Sequence, residues 1–220
     1  MTATASLQRL LTWLSPAFPV GAFAWSGGLE TAIADRRVTD SERLQSWIDG
    51  QLHHGSLKTD VILLAAAHAA SDNAAALAEI ADLALALTSA RERHAELTIT
   101  GASFIKAAAA WPHPVLQSLP DPCPYPVAVG AIAAAHGVSR LDILIAWLTA
   151  AVHQQVSVAI RLVPLGQTDG LRIIAGLETD IAALATTAAS SSLADLGAMS
   201  YAADIAQMRH DALEQRIFRS

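Results

Sequence analysis

LDILIAWLTAAVHQQVSVAI, residues 141–160, decides the fold. Leu141, Leu144, Ile145, Leu148 and Val152, then Val156 and Ile160, recur at the three- and four-residue spacing that lines one face of an α-helix. Ser139 and Asp142 form a capping pair at its start, and Pro164-Leu165-Gly166 breaks it at its end. A run of about 20 apolar residues is the length of a membrane span. Asp142, His153, Gln154 and Gln155 interrupt this run, so it reads as a buried helix of a water-soluble protein rather than a span. It is the longest and most apolar helix expected, and the core is assigned to it.

The same periodicity extends in both directions. Residues 127–136 make a short apolar helix that ends at Gly137. Before it, residues 111–126 carry Pro112, Pro114, Pro120, Pro122, Pro124 and Pro126, which forbid a helix and stiffen the connector. Residues 89–110 form a helix whose opening cluster, Arg91, Glu92, Arg93, His94 and Glu96, reads as a solvated face. Helices are expected over 57–70 and 75–88. Another starts at the capping-box pattern Thr39-x-x-Glu42, buries Leu44, Trp47, Ile48 and Leu52, and stops near Gly55. Leu7, Leu10, Leu11 and Leu14 define the first helix, ended by Ser15-Pro16. A second spans 23–36 with Gly27-Gly28 inside it. Each such glycine costs about 1 kcal/mol relative to alanine, which points to close approach of another backbone. Downstream, helices run over 167–187 and 193–208, separated by Ser190-Ser191-Ser192. No stretch alternates with period two for long, and no internal repeat is evident. The expected fold class is all-α: a single helical-bundle domain of roughly ten helices over 1–220, with a partner-binding tail at about 208–220.

The totals narrow the function classes. Of 220 residues, 53% are hydrophobic and only 15% charged, well below the usual ~25% charged fraction, so a disordered chain is excluded. A net charge of −6 gives no electrostatic footprint for nucleic acid. The one cysteine, Cys123, cannot form an internal disulfide and fits a reducing compartment. No basic-then-apolar leader opens the sequence, so the expected location is cytoplasmic.

Catalytic chemistry finds little support. His53 and His54 are neighbours and point about 100° apart on a helix, while His68, His94, His113, His136 and His153 stand alone. No H-E-x-x-H or Cys/His ligand cluster occurs. Cys123 has no identifiable base, and it reads as a structural thiol. Gly27-Gly28 lacks the phosphate-loop pattern, and residues 164–170 contain no lysine. The expectation is a protein without catalytic residues, cofactor or resident metal.

Two segments look like binding elements instead. Residues 10–30, LLTWLSPAFPVGAFAWSGGLE, form a turn crowded with Leu14, Phe18, Pro19, Val20, Phe23 and Trp25, where an ordinary surface loop is polar. Residues 208–220, MRHDALEQRIFRS, mix Met208, Leu213, Ile217 and Phe218 with Arg209, His210, Arg216 and Arg219, the composition of interface anchors.

Four segments in order along the chain resemble the urease accessory family UreF. They are the turn with Ser15-Pro16, Pro19-Val20-Gly21, Phe23 and Ser26 to Glu30; the helix with Arg91-Glu92, Glu96-Leu97 and Gly101; the run from Ile160 to Gln167; and the tail from Met208 to Ser220. Two positions depart from the family pattern: Ala22, where a second glycine is frequent, and Gly27, where glutamine is frequent.

The resemblance implies a helical protein with no reaction of its own. Such proteins join UreD, also called UreH, and the GTPase UreG, and the assembly helps load nickel into apo-urease. It also implies a homodimer and a tail that engages UreD. By the same resemblance Glu30 and Arg161 become candidates for tuning the GTPase or the gate to nickel insertion, with Gln167, Arg91 and Glu92 as weaker candidates. Two other readings stay open. Arg161 or Arg209 would supply a transition-state arginine to the GTPase, or the chain would handle nickel through His53, His68 or His210.

Overall fold

The computed structural model describes residues 3–197 and 199–220. Among them no strand occurs, and the helices are α1 (Ala3–Trp13), α2 (Leu29–Ala34), α3 (Ser41–His54), α4 (Ser56–Ala69), α5 (Ala74–Ala86), α6 (Arg91–Ala108), α7 (Val115–Ser118), α8 (Tyr125–Ala135), α9 (Arg140–Leu162), α10 (Gln167–Gly176), α11 (Glu178–Ser190) and α12 (Tyr201–Met208). The all-α class read from periodicity holds.

The centre is not α9 alone. Residues 126–133 of α8 are all buried, and α4 buries Leu57, Asp60, Val61, Ile62, Leu63, Leu64, Ala65 and Ala67. A helix apolar all round belongs inside a protein. The two cross at Gly130, where an added Cβ would lie 2.3 Å from the Leu64 carbonyl oxygen. Helix α9 packs beside this pair through Ile143, Leu144, Trp147, Leu148, Val152, Val156, Val158 and Ala159. Leu141, expected on that face, is exposed. Helix α9 is long and apolar enough to cross a bilayer by length and composition, but 44% of its apolar window is buried against the other helices. Buried apolar residues from Leu10 to Phe218 form one contiguous cluster.

Several expected boundaries shift, each for a local reason. The helix over 23–36 is broken. Residues Ala22–Ala24 form a single 3-10 turn, and α2 starts only at Leu29, because Gly27 (φ 61°) and Gly28 (φ 83°) take left-handed backbone. The close backbone approach inferred at these glycines holds at Gly28, where a Cβ would meet the Gln207 nitrogen at 2.9 Å and the Ala203 oxygen at 3.0 Å, both on α12; at Gly27 the near atom is the Gln155 side-chain nitrogen at 3.2 Å. Helix α3 is capped by Asp40, whose carboxylate accepts the Arg43 N–H at 2.9 Å, and not by Thr39. The proline-rich connector holds one short helix, α7, entered from Pro114, and Pro126 sits in the first turn of α8, where its missing N–H is harmless. The expected helix over 167–187 is two helices, α10 and α11, bent by 44°. That over 193–208 is a 3-10 turn at Leu193–Asp195 followed by α12.

The charged opening of α6 is not uniformly solvated either. Arg93 is buried between Asp60 and Glu96, donating to both carboxylates. Burial opposes the Arg93 charge, but the two carboxylates outweigh it and hold the proton more firmly. Burial pushes the Asp60 carboxyl up despite its arginine.

His68 and His136 are held by contacts within the fold, although the buried His136 Nε2 has no hydrogen-bond partner among the described residues. A His68 ring nitrogen bonds the Val138 carbonyl at 2.9 Å, and His136 meets Arg9 at 2.8 Å beside Trp13. Burial depresses both, helped by Arg140 at His68 and by Arg9 and His113 at His136. A depressed histidine is neutral in the fold and takes up its proton more readily when unfolded. Stability is therefore complete above the ordinary histidine value of ~6.5 and falls as the pH drops below it. Melting temperature should decline on acidification from neutral pH, and His68→Gln should flatten part of that decline in thermal scans.

Candidate functional site

Three remote pieces of sequence meet at one end of the bundle: the turn at 21–30, the C-terminal end of α9, and the tail after α12. The turn is held from below by Gln154 and Gln155 of α9. The Gln154 amide donates to the Ala22 and Trp25 carbonyls (2.6 and 3.0 Å), and Gln155 to the Ser26 carbonyl (3.0 Å). The Ala22 and Ser26 carbonyls also accept the Trp25 and Leu29 N–H groups within the turn, and the side-chain amides add a second donor to each.

The tail then docks onto the turn. Arg219 N–H donates to the Ala24 carbonyl at 2.7 Å. Ser26 and Gly27 N–H groups donate to the Ser220 hydroxyl oxygen (3.2 and 3.1 Å), and the Ser26 hydroxyl donates to the Ser220 carbonyl. Phe218 is buried at 5% exposure. The Arg161 guanidinium lies over the rings of Phe23 (5.6 Å) and Phe218 (5.8 Å), and that of Arg219 over Trp25 (5.8 Å). Arginine on aromatic faces is attracted by the ring quadrupole, which fixes both partners.

Glu30 is the hub. Its carboxylate is 5% exposed and accepts the Ile217 N–H (2.7 Å) and the Phe218 N–H (3.1 Å), and its Oε2 is 2.7 Å from His210 Nε2. The other ring nitrogen of His210, itself fully buried, faces Glu92 of α6 at 3.1 Å. Arg216 approaches Glu92 at 3.8 Å. Around this centre, Arg209 pairs with Asp35 (2.7 Å) and Arg91 with Asp211 (3.8 Å).

Of the residues singled out by sequence, Phe23, Glu30, Arg91, Glu92, Arg161, Arg209, His210, Arg216, Phe218 and Arg219 are thus brought together. Met208 ends α12 half-exposed, Leu213 is partly buried, and Ile217 is 68% exposed. Three residues lie elsewhere. Phe18 packs against Phe104 (5.5 Å) and Trp111 (6.4 Å), Pro19 is exposed beside it, and Gln167 is the exposed first residue of α10. Gln154, Gln155, Ser26 and Ser220 were not among the sequence candidates. Two consecutive amides in the long apolar helix α9 were the available signal.

Beside the turn opens a cleft of about 770 Å³. Leu10 and Leu11 of α1 and Leu14 just after it form one wall, Trp147 and Gln154 of α9 another, and Asp60 and Arg93 also line it. Leu11, in this wall, is 63% exposed, and Leu7, four residues before it on α1, is 57% exposed. Among the histidines considered for metal, His210 and His68 are committed to the contacts above. His53 lies 3.2 Å from Asp49 and 3.9 Å from Asp180 on the surface. Cys123 is buried, and burial with the nearby Asp121 pushes its thiol up to about 12, which suits a structural role.

Comparison with known proteins gives a consistent picture. Residues 38–178 match the family model described as UreF. The urease accessory protein UreF of Agrobacterium fabrum is 49% identical over 219 residues, covering 100% of this chain and 98% of that protein. Proteins of the same name from Rhizobium johnstonii (50% over 215 residues, 98% and 96% covered) and Rhizobium meliloti (48% over 217, 99% and 97%) are similarly close.

Proposed function

We infer what this chain does from one premise: it belongs to the UreF family of urease accessory proteins. Its role is in urease maturation. The chain is a helical adaptor without catalysis of its own. It assembles in the cytoplasm with UreD (UreH) and the GTPase UreG and promotes GTP-dependent nickel insertion into apo-urease.

The observation that carries this reading is the surface where turn and tail meet. Side chains there that could serve as anchors stay outside: Phe23 (41% exposed), Met208 (50%) and Ile217 (68%), ringed by exposed Arg91, Arg161, Arg209 and Arg219. Apolar residues bordered by arginine are the make-up of an interface centre. The buried half of the tail, His210, Phe218 and Ser220, holds those anchors in place from beneath. This face docks UreD.

A second copy of the chain covers the cleft between α1 and α9. Exposed Leu11 in the wall of this largely apolar cleft, with exposed Leu7 four residues before it on α1, makes a patch that a monomer rarely leaves open.

Size-exclusion chromatography with light scattering tests both surfaces, using the UreD protein of the same source. Met208→Asp with Ile217→Asp, at positions already exposed, should leave the circular dichroism spectrum unchanged. It should weaken the UreD complex by about 2 kcal/mol, roughly 30-fold. Leu11→Asp should convert a dimer to a monomer and leave the UreD complex formed. Unaltered UreD binding by the tail variant would move the docking face elsewhere.

A further inference from the structure

We propose that the C-terminal segment is a latch gated by one proton, held shut by His210 while its ring is protonated on both nitrogens and released when the ring loses one. The latch regulates the docking face argued above, and only its consequence for partners rests on that reading.

A neutral imidazole donates from one nitrogen and accepts at the other; only the charged ring donates from both. His210 is fully buried, with Nε2 2.7 Å from Glu30 Oε2 and Nδ1 3.1 Å from Glu92. Glu30 is already placed as an acceptor: Oε1 takes the Ile217 N–H and Oε2 the Phe218 N–H. Glu92 has Arg216 beside it at 3.8 Å. With both carboxylates accepting, the ring donates from both nitrogens.

The other charges near the site are engaged. On α6, Arg91 faces Asp211 and Arg93 faces Asp60 and Glu96; at the end of α12, Arg209 faces Asp35. The facing set is thus Glu30 from α2, Glu92 from α6, and Arg216 and His210 from the segment itself. With the ring charged, two anions meet two cations. With the ring neutral, one buried negative charge is left over and a nitrogen lone pair points at a carboxylate. Water and a free tail relieve both.

The direction follows: the docked fraction falls as pH rises. The test uses the full chain labelled with ¹⁵N-histidine and ¹³C-phenylalanine. The His210 ring nitrogens report protonation. The Phe218 carbonyl carbon, observed by ¹³C detection, reports docking without loss to amide exchange. In the wild type the Phe218 signal should shift to a released position in step with loss of the ring proton. Glu92→Gln replaces the acceptor with an amide that can donate to a neutral ring, so Phe218 should stay docked to higher pH. A Phe218 signal that stays docked while the ring loses its proton overturns the latch. So does a Glu92→Gln variant with the wild-type pH profile. UreD binding at the two ends of the titration is read separately. If the latch opens and binding is unchanged, the docking reading fails and the latch stands.

Discussion

Replacing Glu30 with alanine should free the C-terminal segment and lower the stability of the folded chain by about 3 kcal/mol. Two backbone N–H groups and a buried imidazole lose their acceptor together. Each buried donor left unsatisfied costs about 1–3 kcal/mol, so keeping the segment docked would cost more than the docking is worth. The segment leaves instead, and Phe218 becomes exposed, forfeiting about 1.5–3 kcal/mol of apolar burial. The loss is therefore capped at the free energy of docking. Urea denaturation followed by circular dichroism checks the size, and hydrogen exchange at Ile217 and Phe218 checks the location. Phe218→Ala added to Glu30→Ala should change little further, since residues acting through one contact do not add. Additive losses, or an alanine variant as stable as wild type with both amides still protected, would show that Glu30 acts elsewhere. That outcome would return Glu30 to the roles the family resemblance implied, at the GTPase or the nickel gate.

What the sequence made legible follows from what each residue's neighbours in sequence can decide. Helix formation and capping are local, so Ser139 accepting the Asp142 N–H and the break at 164–166 were readable. The split at Gly27-Gly28 was not, because a helix tolerates glycine and only α12, nearly 180 residues away, explains the left-handed backbone. The buried side of α8 was hidden for the opposite reason: an Ala-rich helix apolar all round has no stripe to read. At the site, composition flagged the tail and the turn separately. It could not say that they touch, nor that Glu30 points inward. An acidic residue in the first turn of a helix reads as a solvated partner of the helix dipole, and its inward role depends on N–H groups that arrive from residues 217 and 218.

The same division between local and remote causes sets the sign of a paired substitution. Gly130 and Gly50 both interrupt helices, where alanine is intrinsically better by about 1 kcal/mol. At Gly50 in α3 an added Cβ meets nothing within 4 Å, so Gly50→Ala should stabilise by roughly 0.5–1 kcal/mol. At Gly130 the Cβ would lie 2.3 Å from the Leu64 oxygen, 3.1 Å from the His68 nitrogen and 3.2 Å from the Ala67 Cβ. Two of these three atoms are backbone of α4 and cannot swing aside. Helix α8 cannot retreat either, because it is buried on every side. Overpacking costs about 1–3 kcal/mol where side chains can adjust, so two helix backbones forced apart should reach or pass the upper end. After the propensity gain is subtracted, Gly130→Ala should still destabilise by about 2–3 kcal/mol, a difference of roughly 3 kcal/mol or more between the two variants. Paired urea titrations measure it directly. Equal shifts would mean that α4 and α8 are not in backbone contact at Gly130. Opposite signs would place the centre of the fold at that crossing, with α9 laid alongside it.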